Sequence, residues 1–405
     1  MDHRRLRHAF EHMKYVEMGG QTLFKPSVAY ENKSFLSSSV ARALRVHTEV
    51  LEPLDRLDAA GVHKTILFFG SARSLPKAEH AAAVASARGA LAAAVGEGAH
   101  KAAAAKLDRL EKMAWMCDVY ANVEALARRL TGWSLGRIGA LGVGGAPYIV
   151  ATGGGPGLME AANKGAASVP GAVTAGVAIE LPFENAMNAY VTPELAFQCN
   201  YFFTRKFQLM HPCRALIVTA GGFGTCDELF EFLTLMQCGK TEDADCLPVV
   251  MFPGTYVRAR PPPRINAALR ARAQFGLTNP PTLPPFSKQW RRIINWDVFI
   301  ETGVISPEDM NLLYFTDDVE DAFSHVTSRL LEWERRDAAK REKKEAEAPT
   351  LKRSDAARAY DELLRAHRAR ATAAADTAFA AAENAGSQSP LPGAGGGAGG
   401  GAGAV

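Results

Sequence analysis

Short, unbroken apolar runs recur through the middle of the chain: TILFFG (65–70), YIVAT (148–152), AVTAGVAIELP (172–182), ALIVT (215–219) and PVVMF (248–252). Each ends at glycine, proline or another turn signal, and stretches of helical periodicity separate most of them. Continuous apolar strands are buried on both faces. The pattern therefore predicts an α/β fold, a doubly wound parallel sheet with helices on both faces and right-handed crossovers. LLYFTDD (312–318) is the candidate for a sixth strand.

The flanks break this pattern. Residues 1–29 read as an N-terminal extension and residues 30–331 as the α/β domain, with two insertions. The first, at about 78–115, is rich in alanine and reads as helical; the second, at about 254–288, holds prolines that prohibit a regular element. Residues 332–405 begin as a charged helix and end in a Gly/Ala-rich tail, GSQSPLPGAGGGAGGGAGAV, whose composition cannot bury a core.

Composition narrows the function. The chain has 405 residues, 47% hydrophobic and 22% charged, with a formal charge of +3 spread along its length. A nucleic-acid partner is not expected from such a balance. The six cysteines form no CxxC pair, which fits thiols in a reducing compartment. No apolar run approaches the roughly 18 residues that would span a bilayer, and the N-terminus lacks the apolar core of a secretory signal. The expected location is cytoplasmic with no membrane association, although the N-terminal arginines leave organelle targeting open.

In such sheets ligands bind beyond the carboxyl ends of the strands. Three loops there are suggestive: GSAR (70–73), GGGPGLMEAANKGA (153–166) and AGGFGTCDEL (220–229). Glycines let backbone N–H groups turn toward an anion, and the helix behind each loop adds its partial positive end. Neither glycine-rich loop is a dinucleotide fingerprint, since GxGxxG fails at Leu158 and at the Thr225-Cys226-Asp227 run. Walker A fails for want of a lysine followed by Ser or Thr. A nucleoside monophosphate or similar phosphate ester remains.

Acids complicate that picture. Asp227 and Glu228 stand at the head of DELFEFLTLMQ, which is apolar on nearly every side and reads as a buried helix. A buried carboxylate there costs several kcal/mol, on the order of a lost ion pair, unless it is paired or faces a wet pocket. Asp227 has an adequate explanation in the helix dipole. Upstream, FQCNYFFTRKFQLMHP (197–212) sets Arg205 and Lys206 in an aromatic-rich helix, with Phe202, Arg205 and Leu209 spaced along one face.

The combination of GGGPGLMEAANKGA, TRKFQLM and GGFGTCDELFEFLT resembles the Lonely Guy (LOG) family of phosphoribohydrolases, often mislabelled lysine decarboxylases. LEPLDRLDAAGVHKTILFFGSAR, AIELPFENAMNAYVTPEL and GVISPEDMNLLYFTDDVEDA are similar to its longer branch, so the likeness covers roughly 30–330 apart from the insertions. It implies a Rossmann-like fold and hydrolysis of the N-glycosidic bond between a purine base, of cytokinin type, and ribose 5′-monophosphate. No residue marks a pyridoxal phosphate lysine. Carried over, the family's catalytic pair falls on Arg205 and Glu228. Its substrate contacts fall on Lys206, on Gly221, Gly222, Phe223, Gly224 and Thr225, and on Thr234. Ala220 stands where the family usually has proline, which alters loop stiffness more than chemistry.

Breaking a glycosidic bond builds positive charge on the sugar, so a nearby carboxylate stabilises the transition state and activates water. Glu228 is the candidate for that role, with Arg205 positioning substrate and favouring the ionised acid. Gly154, Gly155 and Gly157, with the second glycine loop, would hold the phosphate, and Glu160 would shape the pocket. Glu184 and Asn188 are candidate base-side contacts. No cofactor or metal is called for. The resemblance also implies a homo-oligomer, dimer or larger. Two alternatives stand: a nucleosidase for AMP or other nucleoside monophosphates in salvage, and a non-catalytic binder of nucleotides or the molybdenum cofactor.

Overall fold

The computed structural model describes residues 14–25, 28–141, 146–181, 186–241, 246–252, 290 and 293–347. The second insertion and the Gly/Ala-rich tail lie outside them. By contacts the chain divides into two compact units, Met1–Asp337 and Ala338–Val405. Of the second, the described residues, 338–347, are helical.

The first unit opens with a hairpin that the hydropathy pattern did not predict, β1 (Lys14–Met18) against β2 (Gln21–Lys25). Gly19 and Gly20 join them at φ 61° and 75°, the left-handed pair that a tight two-residue hairpin turn requires. There follow β3 (Lys64–Phe69), β4 (Tyr148–Thr152), β5 (Thr174–Ile179), β6 (Ala196–Cys199), β7 (Cys213–Thr219), β8 (Val249–Phe252) and β9 (Leu313–Phe315). These form one seven-stranded sheet in the order β6-β5-β4-β3-β7-β8-β9, and every pairing is parallel. The chain builds outward from β3 to β6, then returns to the other side of β3 with β7. The switch point is thus the carboxyl end of β3, flanked by those of β4 and β7, where a doubly wound sheet opens a crevice.

Helices α1 (Arg42–Ala59), α2 (Lys77–Ala92), α3 (Glu97–Lys112), α4 (Met116–Leu141), α5 (Leu158–Ala167), α6 (Phe202–Met210), α7 (Phe223–Gln237), α8 (Trp296–Glu301) and α9 (Val319–Glu347) complete the major elements. The period-two geometry of the strands sorts side chains to the two faces. Ile66 and Phe68 of β3 pack with Val123 and Leu126 of α4, Leu158 and Ala162 of α5, and Val326 of α9. Leu67 and Phe69 pack on the opposite face with Leu57 of α1, Leu209 of α6, and Leu229 and Phe232 of α7. The expected Rossmann-like α/β architecture, with helices on both faces, is what the chain adopts.

Three local departures have physical reasons. The stretch 197–212 is not one helix: Ala196–Cys199 forms edge strand β6, and α6 begins only at Phe202. The alanine-rich insertion is two packed helices broken at Gly96, whose φ of 90° no helical residue adopts. Helix α7 starts at Phe223, four residues before Asp227, so Gly224 and Thr225 lie in its first turn and the two acids lie beyond it.

Candidate functional site

Backbone bonds knit the three loops at the switch point together. Ser71 N–H donates to Ala220 O at 2.8 Å, and Leu158 N–H donates to Ser71 O at 3.0 Å. Gly157 caps α5 at φ 74°, and a Cβ there would collide with Ser71 O and lie 2.7 Å from the Ala72 carbonyl carbon. Gly221 also has no room for a side chain, because the Thr225 hydroxyl occupies that space. The first-turn N–H groups of α5 and α7 have no intrahelical acceptors and lie beside these loops, the arrangement that binds anions.

A buried polar network sets the first glycine loop. Asn163, fully buried on α5, accepts from the Thr152 hydroxyl at 2.7 Å and donates to Thr174 Oγ1 at 2.7 Å. Asn188 Nδ2 reaches Asn163 Oδ1 at 3.0 Å, Gly154 O at 3.2 Å and Gly155 O at 3.0 Å. Thr152 Oγ1 in turn accepts from Gly154 N–H at 2.9 Å. Asn188, a candidate base contact, thus holds the loop through its amide; Glu184 lies outside the described residues. Asn163 sits inside the quoted motif but its spacing alone gave no sign of this role.

Arg205 and Glu228 meet across α6 and α7. Arg205 Nη1 donates to Glu228 Oε1 at 2.9 Å, and its Nε donates to Val177 O of β5 at 3.0 Å. Glu228 is 1% exposed, and its other oxygen, Oε2, has no hydrogen-bond partner among the described residues. A Cβ on Gly153 would lie 2.7 Å from Arg205 Nη2, so the guanidinium runs directly under the first glycine loop. A side chain at 153 would push the guanidinium out of this place. Burial raises the Glu228 pKa above its ordinary 4.5, and the charge of Arg205 pulls against that without overcoming it. Desolvation is the larger effect and the Arg205 charge the smaller.

The remaining candidates divide. Lys206 Nζ binds Asp227 Oδ1 at 2.8 Å and Glu231 Oε2 at 2.6 Å. Its burial favours the neutral amine, yet these two carboxylates prevail and raise its pKa. Asp227 therefore has a partner in Lys206, whereas the dipole explanation fades because the acid lies past the first turn of α7. Glu160 is half-buried on the first turn of α5, and burial first and Glu79 next push its carboxyl up. Thr225 is buried against Gly221, and Phe223 is 96% exposed at the tip of α7. Thr234 is exposed about three turns further on and donates back to Phe230 O at 2.7 Å. On α6, Thr204, Gln208 and Leu209 are buried while Phe202, Phe203 and Phe207 face out, so Phe202 does not share the buried face with Leu209.

Helix α6 itself is anchored by Glu49 of α1. Its carboxylate accepts from Asn200 N–H at 3.0 Å, Tyr201 N–H at 3.3 Å and the Thr204 hydroxyl at 2.6 Å. Gln208 Nε2 adds bonds to Glu49 O and Val50 O, each at 2.9 Å. Nothing in the sequence around Glu49 signals this, because its partners are some 150 residues away.

Among the described residues no helix is long and apolar enough to cross a membrane, and no group of three or more His, Cys, Asp or Glu is placed to hold a metal ion. No curated protein matches the chain significantly. Residues 159–257 match the family model described as possible lysine decarboxylase. That span contains Arg205, Lys206 and the whole run from Gly221 to Glu228, and the match supports a domain of the Lonely Guy type.

Proposed function

We propose that the chain is a phosphoribohydrolase, which releases a purine base of cytokinin type and ribose 5-phosphate from a riboside 5′-monophosphate. The observation that carries this reading is the buried Arg205–Glu228 pair, with one carboxylate oxygen left without a partner among the described residues. A purely structural ion pair would satisfy both oxygens, since an orphaned buried acceptor costs roughly 1–3 kcal/mol. An oxygen kept free is available to a water or a sugar.

The chemistry follows from the groups. The substrate phosphate is held at the N-terminal ends of α5 and α7, which orients the ribose. The C1′–N bond breaks with its electron pair going to the base, which takes up a proton from solvent as it leaves; the proton that Glu228 later accepts from water returns to solvent. Positive charge grows on the sugar, and the Glu228 carboxylate stabilises it. Water then bonds to C1′ and gives its proton to Glu228 Oε2. The raised pKa makes Glu228 a better proton acceptor than an exposed glutamate, and the charge of Arg205 favours its ionised form.

Amine chemistry at Lys206 is disfavoured. A pyridoxal-dependent decarboxylation needs a lysine that gives up its proton, and Asp227 with Glu231 hold the Lys206 proton more firmly than solvent does. The test is to incubate the protein with isopentenyladenosine monophosphate, AMP and the matching nucleosides, and to follow free base by chromatography. Base from the monophosphates in preference to the nucleosides is expected. No base from any monophosphate would sink the hydrolase reading.

A further inference from the structure

We infer that Arg73 is the residue that reads the substrate's phosphate, and so the determinant separating nucleoside monophosphates from nucleosides. The inference rests on the site reading above and assigns a specificity role within it.

The three loops at the switch point, 70–73, 153–157 and 220–222, contain a single charged side chain between them, Arg73. Its position is fixed by the loops it joins. Arg73 N–H donates to Ser71 Oγ at 3.1 Å, and Ser71 itself is bonded to Ala220 O and Leu158 N–H. The neighbouring Ala72 packs against Gly157, with 2.9 Å between its Cα and a Cβ built there. Arg73 is thereby held next to the start of α5, on a loop tied to the residue before Gly221. Its guanidinium is on an exposed residue and makes no hydrogen bond or ion pair among the described residues.

The other two basic candidates are already committed. Arg205 is paired with Glu228 and Val177 O, and Lys206 with Asp227 and Glu231. A phosphate monoester carries about −1.5 to −2 charges near neutral pH, whereas a helix N-terminus supplies only about half a positive charge. The site needs a full cation to complement that anion. Arg73 supplies one in the fork geometry that pairs with two phosphate oxygens at once. Beside the loop at 153, buried Glu228 is held by Arg205, whose Nη2 lies against Gly153, and its Oε2 has no hydrogen-bond partner among the described residues, an acceptor that a ligand hydroxyl can fill.

The experiment uses the full chain as wild type, Arg73→Ala and Arg73→Lys, with thermal melts to verify folding. Base release gives kcat/KM for AMP and for adenosine; calorimetry gives the affinity for each in a Glu228→Gln background. Arg73→Ala is expected to lower the AMP-to-adenosine ratio about 10- to 100-fold, the loss for one charge-assisted hydrogen-bonded pair. Arg73→Lys should recover part of it, and the salt dependence of AMP binding should weaken in the alanine variant. An unchanged ratio in a folded Arg73→Ala protein overturns the inference, as does wild-type protein that binds AMP no better than adenosine. If the wild type releases no base from either compound, the hydrolase reading fails alone. The calorimetric arm then decides Arg73 by the same two outcomes.

Discussion

Replacing Arg205 by alanine exposes the electrostatics of the site most sharply. The substitution removes the only hydrogen-bond donor to Glu228 among the described residues, and it leaves a carboxylate at 1% exposure with both oxygens unpartnered. Breaking a buried pair by deleting one member costs about 3–5 kcal/mol. The cost must depend on pH. Glu228 has a folded pKa raised by burial, so its favourable contribution is complete below the unfolded value and is lost as pH rises through the folded one. Without Arg205, the largest influence lowering that pKa is gone. The folded value climbs further, so the penalty deepens as pH rises and shrinks toward acid, where protonation relieves the unpaired charge. Denaturant titrations at pH 5 and pH 8 read this directly. Arg205→Ala should lose far more stability at pH 8 than at pH 5, and adding Glu228→Gln should restore part of the loss by removing the unpaired charge. A penalty equal at both pH values and unrelieved by Glu228→Gln would refute the reasoning.

Three further outcomes are expected. The acid limb of kcat/KM against pH should lie above the ordinary range for glutamate, because burial raises Glu228 and turnover needs the ionised form; a limb near the free-glutamate value contradicts that assignment. Glu49→Gln should retain the α6 helix yet weaken its N-terminal anchor, lowering kcat severalfold more than it raises KM, since Arg205 rides on that helix; a change confined to KM would count against a positioning role. Gly157→Ala forces a Cβ into the Ser71–Ala72 backbone at a φ of 74°, so a loss of roughly 2 kcal/mol in denaturant titration is expected, and an unchanged midpoint would contradict the loop packing.

The sheet was legible where strands are continuously apolar: β3, β4, β5, β7 and β8 all coincide with runs visible in the sequence, and β9 falls within LLYFTDD. Strand β6 was not, because four residues at an edge, in an alternating rather than continuous pattern, merge into the aromatic run that follows. The N-terminal hairpin carried a usable signal in its Gly-Gly turn between two five-residue strands. At the candidate site, Arg205 and Glu228 were singled out by the motifs they sit in, and their side chains pair in the fold. What spacing could not give is the pairing of side chains across elements. Lys206 ends on Asp227 and Glu231, Asn188 on the glycine loop, and Glu49 on α6. Each of these depends on which elements lie side by side, and hydropathy along one chain does not encode that.

The central claim is that Glu228 acts on the glycosidic bond, with the phosphate held by the loops around it. Its most direct test is free-base release from a riboside 5′-monophosphate by wild type and Glu228→Gln, with calorimetric binding of the same nucleotide to each. Base release by the wild type is expected, with a loss of at least about 100-fold in the variant and binding that survives the change. Undiminished release by Glu228→Gln would contradict it.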